Sequence, residues 1–208
     1  MSNDDVNINW SYRGKADFLL GAGATKAEQT IAWVASFVGA SLYGYLFLTH
    51  AFSWTWWQYI LAGLLSFDVI GGIVANSLNS CKRFYHTAAK ADEPPYTAFF
   101  KNHFVFSALH IHTLLIAILF GSTNYFYGVF WYLFLMAGTI MIINTPLYLK
   151  RPLAFLVISL ALLLNSYVIF PVQGFEWLVP ALMIKILYGH LVKEEPYRPL
   201  AEQDDTNE

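Results

Sequence analysis

The chain of 208 residues is 57% hydrophobic and only 12% charged, with a formal net charge of −2, whereas charged residues make up about a quarter of an ordinary soluble domain. These figures exclude a soluble globular protein and, with a pI near 6.3, a basic surface for nucleic acid. The single Cys81 rules out an internal disulfide, and the polar stretch 1–10 is not expected to act as a cleavable signal, because it lacks a basic head followed by an apolar run.

A polar segment, 1–29, comes first. Continuously apolar runs then predict spans at 30–48, 56–78, 99–120, 125–147, 153–170 and 175–192, each long enough to cross hydrocarbon. The expected fold class is therefore all-α, a polytopic membrane bundle of six helices over 30–192, with a long loop at 79–98 and a polar tail at 193–208. Barrel strands are rejected because the runs do not alternate, and an isolated span can satisfy its backbone only as a helix.

Orientation follows from the twelve Lys and Arg. Arg13, Lys15 and Lys26 precede the first span, Lys82, Arg83, Lys90 and Lys101 lie between the second and third, Lys150 and Arg151 between the fourth and fifth, and Lys193 and Arg198 follow the sixth. Eleven thus fall on one side, and the connections on the other side hold none. The positive-inside rule puts both termini in the cytoplasm, which in a bacterium means the inner cell membrane. Trp54, Trp56, Trp57, Tyr125, Tyr127, Trp131 and Trp177 gather at the opposite ends, as an interfacial aromatic belt would.

Two charges lie where lipid makes them expensive, at about 2.5–3.5 kcal/mol each. Asp68 is near the middle of the second span, and Lys185 lies roughly 12 Å deep at 1.5 Å per residue from Lys193, beyond easy snorkelling. Each needs a partner, and pairing with one another meets both needs. At 100° per residue, Asp68, Gly72, Asn79 and, if the helix continues, His86 share a stripe within about 40°, with Asn76 about 80° away. In the third span His103 and His110 share a face, while His112 diverges from His110 by about 200° and is assigned to packing or to another face. His190 is followed at i+4 by Glu194, a spacing that presents two ligands together. His50, at the far end of the first span, stands apart.

The chain has no GxSxG elbow, HExxH, Walker loop, CxxC or GxGxxG, and it lacks the many-histidine boxes of membrane desaturases. Neutral imidazoles with a carboxylate suit zinc or iron better than calcium or magnesium. The expected metal ligands are His103, His110, His190 and Asp68, with His86 as a further ligand. Asp68, Lys185 and Glu194 are the expected catalytic groups, and Asn76 and Asn79 the supporting polar ones. Such a centre would polarise a carbonyl or phosphoryl oxygen of a membrane lipid or other apolar substrate for hydrolysis, or else activate oxygen against it. The competing expectation is a proton or ion pathway through Asp68, Lys185 and the histidines. An oligomer is compatible with either.

Overall fold

The computed structural model describes residues 6–8, 10–12, 14–120, 124–194 and 197–199. Two short strands, β1 (Val6–Ile8) and β2 (Tyr197–Pro199), pair antiparallel and bring the two tails together. The body between them is helical. Helix α1 (Lys26–Leu48) opens on a reciprocal cap, in which Thr25 Oγ1 accepts from the Glu28 amide and the Glu28 carboxylate accepts from the Thr25 amide at 2.8 Å. Helix α2 (Trp56–Ser77) starts in the same manner, Gln58 Oε1 accepting from the Thr55 amide at 2.9 Å. The two pack closely because a glycine lies at the contact: a Cβ on Gly71 would overlap Ser36 Oγ.

Leu78 is extended and ends α2, so the short helix α3 (Asn79–Tyr85) runs in a new direction. Asn79 and His86 are thereby taken off the Asp68 stripe that one continuous helix would have made. The third predicted span is also broken, into α4 (Pro95–Lys101), α5 (His103–Ala108) and α6 (His112–Leu119), with a bend of 70° after Lys101. Asn102 causes the bend: its side-chain oxygen caps the amides of Phe104 at 3.0 Å and Val105 at 3.2 Å, which starts a fresh helix instead of continuing the old one. A second break falls at residues 109–111.

Helix α7 (Tyr125–Ile143) is followed after three residues by α8 (Leu147–Tyr167). Pro146 stands just before α8, which places Lys150 and Arg151 within its first turns instead of in a loop. The last element is α9 (Leu178–Met183), continuing into a π-helical segment at Ile184–His190. Together α9 and the π segment span about 20 Å at the α-helical rise, short of the ~30 Å hydrocarbon layer. Four helices, α1, α2, α7 and α8, are long and apolar enough to cross a membrane, and a fifth crossing results if the bent pair counts as one. The final segment differs from them in being the centre of the bundle, with Leu178, Leu182, Met183, Ile186 and Leu187 fully buried.

The two ends of the bundle are built differently. At the turn end, Trp54 packs against Phe52, Phe120 and Phe175 with ring centroids 4.5, 4.9 and 5.4 Å away. The Tyr43 hydroxyl donates to Gly174 O at 2.5 Å and accepts from Trp177 Nε1 at 2.8 Å. Trp56, Trp57 and Tyr125 are exposed there, but Tyr127 and Trp131 are fully buried, so they belong to the core and not to an aromatic belt.

At the tail end, buried cations hold backbone and ring groups. Lys82, 3% exposed, donates to Gly189 O at 2.5 Å and Val192 O at 2.8 Å, capping the carbonyls at the end of the π segment as a cation favours. Burial lowers its ammonium to about 8. Lys101 donates to the Tyr12 hydroxyl at 2.6 Å and lies 4.4 Å from the Phe84 ring centroid, and Tyr12 donates to Glu93 at 2.7 Å.

Candidate functional site

A cavity of about 310 Å³ opens between α1, α2, α5 and the π segment. Its walls are mainly apolar, from Trp33, Phe67, Phe106 and Leu109, and its polar groups are Ser36, Asp68, Asn76, His110 and Lys185. Convergent polar groups in an apolar pocket are the usual form of a small-molecule site.

The charge is carried by Asp68 and Lys185. Lys185 Nζ donates to Asp68 Oδ2 at 2.7 Å, and His112 Nε2 donates to the same oxygen at 2.8 Å. A carboxylate only accepts, so His112 must carry its proton on Nε2, which leaves Nδ1 buried and without a partner among the described residues. The lysine side chain is 4% exposed and the aspartate 49%. Asp68 thus keeps half of its surface open while lining the cavity, and the ammonium is enclosed. Gly72 makes the path for this lysine, since a Cβ there would overlap Lys185 Cε.

The part played by His112 reverses the expectation drawn from helical spacing. The 200° divergence holds only for an unbroken helix, and the break at residues 109–111 removes it. His110 and His112 instead stack, with centroids 5.4 Å apart and planes at 21°. No Gly or Pro marks this break, so no residue in the sequence signals it. His110 Nδ1 donates to its own Phe106 carbonyl at 2.7 Å, and that bond fixes the tautomer and leaves Nε2 as a lone pair.

His103 does not share a partner with His110. Its Nδ1 lies 3.0 Å from His190 Nε2, and its ring is 4.7 Å from that of His86. His86 Nε2 donates to the His190 carbonyl at 3.0 Å, which leaves His86 Nδ1 as its acceptor. Phe106 stacks on His190 at 3.8 Å and separates this trio from the cavity that it also lines. The π segment explains how Lys185 and His190 both turn toward α2 and α5. Five residues of α-helix leave a net rotation of about 140°, whereas i→i+5 bonding, seen as Leu191 N to Ile186 O at 3.0 Å, returns the fifth residue to the same side. Asn76 Nδ2 donates to Lys185 O at 3.2 Å and steadies the segment.

The expected metal set therefore does not assemble. Asp68 is engaged by Lys185 and His112, His110 bonds its own backbone, and only His103 and His190 meet. Among the described residues no three His, Cys, Asp or Glu side chains are arranged to hold a metal ion. Glu194 is also elsewhere: the helix ends at His190, and the carboxylate accepts from Tyr188 at 2.7 Å and lies 3.4 Å from Arg151 Nε. Asn79 begins α3 outside the cavity lining. Comparison with family models, with curated proteins and with solved structures finds no match for this chain.

Proposed function

We propose that this chain is an integral membrane enzyme that performs acid–base chemistry on a lipid or other apolar molecule entering the cavity from the bilayer. The observation that carries the reading is the His110 Nε2 lone pair in a mainly apolar cavity that the Asp68–Lys185 pair also lines, with His112 on the same carboxylate. His110 is the general base, and Asp68 and Lys185 orient the reacting group and balance developing charge. Packing alone does not call for a half-open carboxylate beside an enclosed lysine.

The associated topology has six crossings and cytoplasmic termini, the bent α4–α6 unit being the third crossing and the buried α9 with its π segment the sixth. It is supported by the lysine and arginine distribution and by the β1–β2 pair, which keeps both tails on one side. Reporter fusions after residues 57, 121 and 174 should read as external, and a cytoplasmic signal at any of them refutes it.

To test the activity, purified protein is incubated with a membrane lipid extract and the products are compared by mass spectrometry with those of His110→Gln. A product formed by the wild type and lost with folded His110→Gln supports the enzyme. No product, together with proton or ion flux in liposomes that depends on Asp68, overturns it in favour of transport.

A metal-dependent version of the same enzyme would draw on the apposed His103 and His190 nitrogens as two ligands, the remaining positions being filled by groups other than the described side chains. Near-stoichiometric zinc or iron in the wild type, lost in His190→Ala, would support it; metal-free active protein would refute it.

A further inference from the structure

We infer that the ligand is a single-chain amphiphile with a hydroxyl head: the head sits at Asp68 and His110, and the tail lies in the groove between α1 and α2. This rests on the enzymatic reading for why the head is bound and deepens it by naming the ligand class.

The groove is a second space, of about 490 Å³, lined by α1 and α2 only and wholly by apolar or aromatic side chains and glycine. It adjoins the cavity at Phe67, whose ring lines both spaces. On α1, Trp33 and Ser36 line the cavity, and Ala40, Tyr43, Gly44 and Phe47 line the groove. Their three- and four-residue steps make one stripe. On α2 the stripe runs Trp56, Ile60, Gly63, Phe67, Gly71, and Phe67 lines both spaces. From Phe67 to Trp56 the groove extends about 16 Å at the α-helical rise, the reach of an extended alkyl chain and more than a compact apolar ligand needs.

Its floor is made by glycines that the fold itself does not require. A Cβ on Gly44 would meet nothing within 4 Å, and one on Gly63 only atoms 3.8 Å away. Gly44 lies in the interior of α1, where glycine costs about 1 kcal/mol relative to alanine. Close helix packing, which explains Gly71, does not explain it.

The chemistry at the closed end selects the head. Asp68 Oδ2 already accepts twice, from Lys185 and His112, whereas Oδ1 makes no hydrogen bond among the described residues. His110 Nε2 is likewise an acceptor. Both acceptors belong to residues that line one cavity, so the head they bind is one that donates. The carboxylate is already balanced by an enclosed ammonium, so there is no uncompensated charge to draw a cationic amine. A hydroxyl fits, its one proton going to His110 Nε2 or Asp68 Oδ1 and its oxygen able to accept from a further N–H of Lys185, which lines the same cavity.

The test uses the full chain in lipid nanodiscs and a long-chain primary alcohol carrying a mid-chain diazirine, with crosslinks mapped by mass spectrometry. Labelling is expected on the α2 stretch from Trp56 to Leu64. Dodecanol should compete about tenfold better than dodecane, dodecylamine or dodecanoate, equivalent to about 1.4 kcal/mol. Gly44→Leu and Gly63→Leu, which fill the groove without touching the polar groups, should cut labelling about tenfold, a similar free energy.

Equal competition by dodecane overturns the head assignment. Unchanged labelling in both leucine variants overturns the groove, as does loss of a dimer in Gly44→Leu with no labelling in the wild type, which would give the face to a second copy. If labelling behaves as expected but no lipid product ever forms, the enzymatic reading fails and the binding site stands. If product formation persists while both leucine variants label normally, the reverse holds.

Discussion

The turn end and the tail end of the bundle solve the same problem with opposite chemistry. Both must close irregular backbone against the helices, and at membrane depth each unpaired carbonyl or amide is costly. The turn end does so with rings, Trp54 among Phe52, Phe120 and Phe175, and with one phenol–carbonyl bond from Tyr43 to Gly174. The tail end uses cations, Lys82 on the carbonyls of Gly189 and Val192 and Lys101 between Tyr12 and Thr87. The difference teaches that a basic residue counted for orientation is not thereby a solvated one. Here one of them also caps a helix.

Four measurements break or sharpen this contrast. The largest effect is expected from Trp54→Ala, which empties the ring cluster at a cost of about 3 kcal/mol, read as a lowered thermal midpoint in detergent that is the same at pH 7 and pH 9. A loss that instead varied with pH would blur the distinction between the ends.

Next comes Lys82→Met, which leaves two buried carbonyls without their donor and should cost about 1–3 kcal/mol. Increased hydrogen exchange confined to residues 184–192 would identify the cap, and exchange spread evenly over all helices would argue against it. Tyr43→Phe, losing one neutral hydroxyl at the other end, should cost less, about 1 kcal/mol.

The last test is the response to pH. Lys82 is lowered by burial to about 8 from an ordinary 10.5. Between these values the unfolded chain holds a proton that the folded one has released, so this group makes stability rise with pH over about 8 to 10.5. A neutral amine still donates, and the cap survives. The rise should vanish in Lys82→Met; a rise of equal size in the variant would assign it to another group.

Much of this architecture was legible in the sequence, for physical reasons. Lipid forces long apolar runs, and α1, α2 and α7 fall within a few residues of the runs that predict them. The need of Asp68 and Lys185 for partners was legible because intramembrane charge is costly, and the structure sets them 2.7 Å apart. Less legible was anything that depended on helices being continuous. Leu78, Asn102 and residues 109–111 each interrupt a run whose hydropathy does not change, and so hydropathy could not find them. Asn102 was the best clue, as an asparagine ahead of a new apolar turn is an N-cap pattern. The break at 109–111 decided the most, because it turned His112 from a packing residue into a ligand of the Asp68 carboxylate. Periodicity also assumed 3.6 residues per turn for the last segment, where the chain adopts a wider helix. That assumption hid the relation between Lys185 and His190, while Glu194 misses its expected place because the helix ends at His190.

The π segment at Ile184–His190 can be regarded as an α-helix that has accepted one extra residue. Removing a single residue from it, for instance Leu187, would let the hydrogen bonds close at i→i+4, and the residue then four places after Lys185 would lie about 40° from it, still on the side of α2 and α5. His190 would thus stay turned toward His103 and His86, one helical rise nearer to Lys185 than now. The extra residue is absorbed within the segment, and a one-residue deletion separates what the wide turn itself does for the imidazole trio from what the facing of His190 does.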